Sequence, residues 1–174
     1  KNFGEGIIKE IMFGGTKESI DKQVLEFRES LRTIDWKKMM KPTGLKQMET
    51  YIERRPTSGE IFSKLRKGCP INTRSASNYN DLLKFKKLDK KYSAFQIGDK
   101  MYIAYLKQNP FNIEVIGFNG YNDPPDISQL IETYIDRDGI FEGVLKNKLE
   151  KVYNDLGWGG IVFNRNVHKF FSFL

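Results

Sequence analysis

The stretch YSAFQIGDKMYIAYLKQNPFNIEVIGF, residues 92–118, decides the fold class of this 174-residue chain. Aromatic and β-branched residues dominate three of its segments, which cover 92–97, 100–106 and 111–118. Gly98-Asp99 separates the first two segments and Gln108-Asn109-Pro110 the last two, and both separators have the composition of tight turns. The stretch therefore predicts an antiparallel meander of three short strands.

Helical patterns precede and follow the meander. After the N-cap candidate Thr16, four apolar residues have the spacing of one helix face: Ile20, Val24, Phe27 and Leu31. Further helices are predicted after Thr43, over 57–67, around 82–85, over 125–134 and over 145–156, with Gly157 ending the last one. Residues 161–163 favour a short strand, and 167–174 form an apolar tail.

This order of elements favours an α/β (α+β) fold, in which a central, mainly antiparallel sheet packs with helices and is preceded by a helical segment. We interpret residues 1–91 as a basic helical segment packed on the core and residues 92–174 as the sheet-containing core. The two parts are expected to form one compact unit.

Positive charge is concentrated in the middle third of the sequence. Between Arg32 and Lys91 there are 16 Lys or Arg residues against 6 Asp or Glu, a net charge of +10, whereas the whole chain carries +7. Charge segregated in this way commonly serves to meet an anion. We therefore expect a polyanion as partner, either nucleic acid or the phosphates of coenzyme A, and a protein assembly partner is a further option.

Aromatic residues are interleaved with these cations, as a surface that contacts phosphates and stacks bases requires. The aromatic residues are Trp36, Tyr51, Tyr79 and Phe85. The residues predicted to contact nucleic acid are Lys37, Lys38, Arg54, Arg55, Lys84, Lys86 and Lys87. The alternative interpretation is that a lysine-rich helix face is simply solvated.

Composition argues against several other classes. No apolar run approaches the roughly 20 residues that a membrane-spanning helix needs, so no transmembrane segment is expected. Cys69 is the only cysteine and His168 the only histidine, which argues against disulfides, cysteine-based zinc sites and a Cys–His nucleophile. The expected location is intracellular (cytoplasmic) or inside a virion.

Four acidic residues fall within eleven positions near the end of the predicted helix over 125–134: Glu132, Asp136, Asp138 and Glu142. A group of this kind can bind a metal ion or supply a catalytic base. The spacing completes no calcium-binding loop, and we interpret the group as a solvated helix end whose charge complements the next helix N-terminus. No metal site is predicted.

Three segments resemble parts of the GNAT acyltransferase superfamily. Residues 94–105 are similar to its central hairpin, with Gly98-Asp99 as the turn, and residues 134–145 look like the entry into its phosphate-binding loop and following helix. Residues 157–171 are similar to its last motif, in which a strand leads to Asn164-Arg165-Asn166 and a segment ending in Phe170-Phe171. The resemblance covers about residues 92–174.

This resemblance implies transfer of an acyl group from acetyl-CoA to an amine. It implies that Arg137, Gly139 and Gly143 lie near the pyrophosphate, which the family holds at a helix N-terminus. It further implies that Asn164 or Asn166 lies near the cofactor arm and that Glu132 or Glu114 is the base.

Two other hypotheses stay open. The tail also resembles acyltransferase-like proteins packaged inside some tailed-phage virions, which keep the scaffold without the chemistry. On that hypothesis the chain is a non-catalytic virion or effector assembly protein, and its basic helices bind nucleic acid or an acidic partner. A ribonuclease toxin is the third hypothesis, with His168 acting beside Arg165 or Lys169.

Overall fold

The computed structural model describes residues 2–40, 42–143 and 147–160. Its helices are α1 (Asn2–Met12), α2 (Lys17–Thr33), α3 (Ile71–Phe85), α4 (Pro125–Tyr134), α5 (Arg137–Phe141) and α6 (Asn147–Asp155). Its strands are β1 (Thr43–Gly44), β2 (Ile52–Arg54), β3 (Lys64–Leu65), β4 (Lys100–Tyr105) and β5 (Val115–Phe118). Within the described ranges, no helix combines the length and the apolar character that crossing a membrane requires.

The chain forms two compact units. Residues 1–33 and 137–174 make up a discontinuous unit, and residues 34–136 make up a continuous one. In the discontinuous unit, the predicted apolar stripe of α2 is confirmed, because Ile20, Val24 and Leu31 are buried. Phe27, on the same face, stacks on Phe3 with ring centroids 4.0 Å apart.

Helix α6 belongs to the same unit and is joined to α2 by a side-chain hydrogen bond. The hydroxyl of the buried Tyr153 donates to Oδ1 of Asp21 at 2.7 Å. Burial, with a smaller effect of Asp21, raises the pKa of Tyr153. The helix ends at Asp155, two residues before the predicted stop Gly157, whose φ of +69° is left-handed and suits a residue without a side chain.

The continuous unit contains a small antiparallel sheet of order β1-β4-β5, and α3 packs against β5. The register pairs Tyr102 with Phe118 and Tyr105 with Val115. Strands β2 and β3 form a second antiparallel pair. The predicted α+β class, with a mainly antiparallel sheet packed by helices, is therefore confirmed.

Helix α3 is buried although its sequence, INTRSASNYNDLLKF, is largely polar. Its polar side chains bond to backbone groups of neighbouring segments: Thr73 Oγ1 donates to the carbonyl of Gln47 at 2.7 Å, and Asn78 Nδ2 to that of Val115 at 2.7 Å. A buried polar group that is hydrogen-bonded avoids the cost of losing water. These side chains therefore attach α3 to the neighbouring segments by hydrogen bonds.

The prediction of a strand over 92–97 is wrong. The backbone N–H of Phe95 donates to Oδ1 of Asn80, and the carbonyl of Phe95 accepts from Nδ2 of the same amide. Because one side chain satisfies both backbone groups, Phe95 has none left for a neighbouring strand. The short strand β1 takes the outer place beside β4 instead, with Thr43 paired to Met101.

The predicted helices after Thr43 and over 57–67 are wrong as well. Leu45 exchanges backbone hydrogen bonds with the turn at Gly98 and Asp99, which holds the segment after Thr43 beside that turn. In the second segment, the carboxylate of Glu60 does accept from the backbone N–H of Thr57, as a capping box requires. Gly59 has a φ of +85°, however, so the chain forms a turn there and continues into β3.

Candidate binding site

A pocket of about 410 Å³ lies in the continuous unit, between the segment that follows β2 and the last turns of α3. Its lining residues are Arg55, Pro56, Thr57, Glu60, Ile61, Asp81, Lys84 and Phe85. It brings together Arg55 and Lys84, two of the cations predicted to contact nucleic acid. We take this pocket as the candidate functional site.

Helix α3 supplies the pocket with side chains at different depths. Asp81, Lys84 and Phe85 are spaced i, i+3 and i+4, so they share one face of the helix. Asp81 is only 2% exposed, whereas Phe85 is 54% exposed and Lys84 is exposed. A buried carboxylate, a surface ammonium and a half-exposed aromatic ring therefore line one pocket.

The carboxylate of Asp81 is satisfied on one oxygen only. Its Oδ2 accepts from the backbone N–H of Ser63 at 2.7 Å and from Oγ of Ser77 at 3.4 Å. Its Oδ1 is buried and has no hydrogen-bond partner within the described part of the chain, and the same holds for Oγ of Ser63. An unpaired buried acceptor costs about 1–3 kcal/mol, and more when it is charged.

The second acid of the pocket, Glu60, is already fully engaged. Arg54 donates to its two carboxylate oxygens at 2.6 and 2.7 Å, and the N–H and hydroxyl of Thr57 donate as well. These hydrogen bonds, that of Arg54 above all, lower the pKa of Glu60 from 4.5 to about 2. The carboxylate of Glu60 is therefore engaged by Arg54 and Thr57 within the protein.

The predicted cation Arg55 forms an ion pair with Glu49, but the pair lies at the surface. The side chains of Arg55 and Glu49 are 41% and 71% exposed. Exposed pairs of this kind typically contribute about 0–1 kcal/mol, because solvent screens them and both side chains lose freedom. A phosphate can therefore replace Glu49 as the partner of Arg55 at little cost.

The end of α3 has an unusual residue at a position that normally holds glycine. The N–H of Leu88 donates to the carbonyl of Leu83, and the N–H of Lys87 to that of Lys84, which is the Schellman pattern. Lys87 has a φ of +56°, in the left-handed region. A side chain there costs about 1 kcal/mol or more relative to an ordinary conformation, so an exposed cation occupies a strained position beside Lys84.

The remaining predicted nucleic-acid residues lie elsewhere in the unit. Lys86 is paired with Asp126 at 2.9 Å. Lys37 and Lys38 are exposed on a short 3-10 turn, and the Lys37 ammonium lies 5.5 Å from the centre of the Trp36 ring. Lys37 also lines a smaller pocket of about 130 Å³ beside Tyr121, which is 88% exposed.

The residues implied by the acyltransferase resemblance are distributed over both units. Glu114 and Glu132 are exposed in the continuous unit, and Arg74 approaches Glu114 at 3.5 Å. Arg137 begins α5 and donates from Nη1 to the carbonyl of Leu31 at 2.6 Å. Gly139 lies within α5 and Gly143 just after it, both exposed.

Asn164, Asn166 and His168 lie outside the described residues, as do the predicted strand over 161–163 and the apolar tail. The acyl-transfer, acetyl-CoA and ribonuclease hypotheses therefore stay predictions from sequence. The location, intracellular or inside a virion, also stays a prediction from sequence.

Among the described residues, no group of three or more His, Cys, Asp or Glu side chains is arranged to hold a metal ion. One member of the predicted acidic group, Asp138, forms an ion pair with Arg28, in which Oδ1 and Nη2 are 3.2 Å apart. Cys69 is buried, and desolvation raises the pKa of its thiol, which disfavours the reactive thiolate.

Sequence reasoning missed Asp81 as a site residue. The available signal was the spacing Asp81, Lys84, Phe85, which places an acid, a base and an aromatic ring on one helical face.

The chain matches no protein-family model, and no curated protein matches it. Function is therefore inferred from the pocket and its chemistry.

Proposed function

We propose that the continuous unit, residues 34–136, binds single-stranded nucleic acid and does not catalyse a reaction. The binding site is the pocket of about 410 Å³ that Asp81, Lys84 and Phe85 line on α3, called the Asp81 pocket below. One observation carries the proposal: Arg55, Lys84 and the half-exposed ring of Phe85 line the same concave surface. Cations and an aromatic face are the two components with which proteins bind single strands without reading a duplex.

Each component has a defined task. The guanidinium of Arg55 and the ammonium of Lys84 contact phosphate oxygens, and the Phe85 ring stacks on a base. Stacking on an aromatic side chain contributes about 1–3 kcal/mol per base. A base that is stacked within a duplex cannot enter a pocket of this kind, so the single strand is the preferred form.

The surrounding charge supports the same conclusion. Residues 34–136 contain 17 Lys or Arg against 12 Asp or Glu, a net charge of +5, which attracts a polyanion over distances longer than any contact. Lys84 and Lys87 also lie at the C-terminal end of α3, where a positive charge is favourable for the helix itself. Stabilisation of the helix explains why cations lie at the C-terminal end of α3. It does not explain why the exposed Phe85 lies between two of them.

The proposal is tested by fluorescence anisotropy with a labelled single-stranded 12-mer in 50 to 200 mM salt. For single strands the logarithm of affinity falls with the logarithm of salt with a slope of about −0.7 per phosphate contacted. Lys84→Gln should make the slope shallower by about 0.7. Phe85→Leu should weaken binding about 5- to 100-fold with the slope unchanged.

The matched control is Lys107→Gln, which removes the same charge from an exposed lysine outside the pocket lining. It should leave the affinity within a factor of about two, since Lys107 does not line the pocket and solvent screens its charge. Equal losses for Lys84→Gln and Lys107→Gln would overturn the pocket as the site. If polyglutamate competed as well as the oligonucleotide, an acidic protein partner would replace nucleic acid.

A further inference from the structure

We propose that Oδ1 of Asp81 accepts a hydrogen bond from the amino group of a base in the pocket, so that the pocket prefers cytosine and adenine to uracil. This inference rests on the proposed binding of single-stranded nucleic acid and adds a base preference to it. Its starting point is the buried acceptor of Asp81, which has no partner within the described chain although the residue lines a pocket.

The hydrogen bonds of Asp81 fix which of its oxygens is available. Ser63 and Ser77 both donate to Oδ2, and this anchors the carboxylate in one orientation. Oδ1 is therefore the free end, and an ionised carboxylate can only accept. The ligand group that meets it must be an N–H or O–H donor.

The other lining groups narrow the chemistry of that donor. Glu60 is engaged by Arg54 and Thr57, so it does not compete for the same donor. Phe85, one helical turn from Asp81, provides the flat face against which an aromatic ring stacks. The pocket thus offers a hydrogen-bond acceptor, an aromatic face and cations. A nucleotide matches all three, because its planar base carries a donor at the edge and its backbone carries phosphate.

Among the bases, the edge chemistry separates cytosine and adenine from uracil. Cytosine and adenine present an exocyclic amino group, and carboxylates in proteins accept from the cytosine N4 amino group. Uracil presents its only ring N–H between two carbonyl oxygens, which a carboxylate oxygen repels. The free anionic acceptor of Asp81 therefore favours an amino-bearing base.

Access to Oδ1 requires a local movement. Asp81 is 2% exposed in the free protein, whereas Lys84 and Phe85 on the same helix face are exposed. We expect these two side chains to change rotamer when a base enters, which is a motion that exposed side chains make readily.

The test compares wild-type protein with Asp81→Asn, using single-stranded decamers of cytidine, adenosine or uridine. In this variant the amide oxygen can still accept from Ser63, while the amide nitrogen places a donor where Oδ1 was. Wild type should bind the cytidine and adenosine decamers about tenfold more tightly than the uridine decamer, the usual effect of a charged hydrogen bond. The substitution should abolish or reverse that preference.

A second measurement needs no altered protein. Replacing cytosine by 2-pyrimidinone removes the amino group without adding bulk, and this should weaken binding to wild type about tenfold. This arm decides the question even if Asp81→Asn fails to fold. Equal affinity for the two bases would overturn the inference, because Asp81 would then be satisfied by water only.

The two proposals fail in different ways. If none of the decamers bound with a salt-dependent affinity, the proposed function would fall and the base preference with it. If all three bound equally, with a normal salt slope and a normal loss for Phe85→Leu, only the base preference would be overturned.

Discussion

The side-chain amide of Asn80 bonds to both backbone polar groups of Phe95, accepting from its N–H at 2.8 Å and donating to its carbonyl at 2.9 Å. The amide thus takes the place of a neighbouring strand. Both partners are buried, so neither backbone group can turn to water instead. Asn80 therefore fixes the segment before β4 to α3, and the ring of Tyr79 packs on that of Phe95 beside it.

Asn80→Ala should accordingly destabilise the continuous unit by about 3 kcal/mol, because it leaves two buried backbone groups unpaired at roughly 1–3 kcal/mol each. Asn78→Ala removes a single bond, to the carbonyl of Val115, and should cost less. The measurement is urea denaturation, with the exposed Asn122→Ala as control. A loss for Asn80→Ala no larger than that of the control would contradict the interpretation.

A second prediction concerns the close approach of α3 to β5 at Gly117. A Cβ atom there would lie 3.0 Å from Sδ of Met101 and 3.2 Å from the carbonyl oxygen of Ser75. Gly117→Ala should therefore destabilise the unit by about 1–3 kcal/mol through overpacking.

The control for that substitution is Gly44→Ala, for which we expect no loss of stability. A Cβ atom at Gly44 would meet nothing within 4 Å, and its φ is not left-handed. Gly44→Ala should be neutral or stabilise by about 0.4–1 kcal/mol, because it reduces the freedom of the unfolded chain. Thermal unfolding of both variants distinguishes them, and a shift in the same direction would refute the steric explanation.

A third prediction is a pH dependence caused by Glu60. Its pKa falls from 4.5 in its ordinary environment to about 2 in the folded protein. A lowered pKa stabilises the folded state above pH 4.5, and this stabilisation is lost progressively as the pH falls from 4.5 to 2.

An NMR titration of the Glu60 side-chain carboxyl should show a midpoint near 2. In Arg54→Met the largest cause of the shift is absent, so the midpoint should rise towards 4.5. An unchanged midpoint in that variant would show that the Arg54 hydrogen bonds do not lower the pKa.

A fourth prediction separates stability from binding at Lys87. Because its φ of +56° suits glycine, Lys87→Gly should stabilise the unit by about 0.5–1 kcal/mol. On the proposed function it should also weaken oligonucleotide binding and make the salt slope shallower. Lys90→Gly removes the same charge at a residue with an ordinary φ and should destabilise instead; equal effects on stability would contradict the strain at Lys87.

Some of the fold follows directly from local sequence. The stripe on α2, the pairing of β4 with β5 and the end of α6 just before Gly157 each depend on residues close together in the chain. Periodicity, turn composition and a glycine with left-handed φ are sufficient for these elements.

Other parts depend on distant partners and could not be read from local patterns. The apolar residues after Thr43 suggest a helix, but backbone bonds from Leu45 to the turn at Gly98 and Asp99 override that preference. The polar sequence of α3 does not suggest a buried helix, because its Asn and Thr side chains are satisfied by segments far away in sequence. The spacing of Asp81, Lys84 and Phe85 could have indicated a shared helix face, but only the folded pocket shows that one oxygen of Asp81 lacks a partner among the described residues.

The division of the chain into a continuous and a discontinuous unit has a consequence during synthesis. Domains fold as units while the chain emerges from the ribosome, and residues 34–136 are complete once position 136 has emerged. Helices α1 and α2 emerge first, yet the bond between Asp21 and Tyr153 joins residues 132 positions apart. A nascent chain that stalls near residue 136 should therefore carry a folded continuous unit, together with a helix pair whose apolar face has not met its partners from α5 and α6.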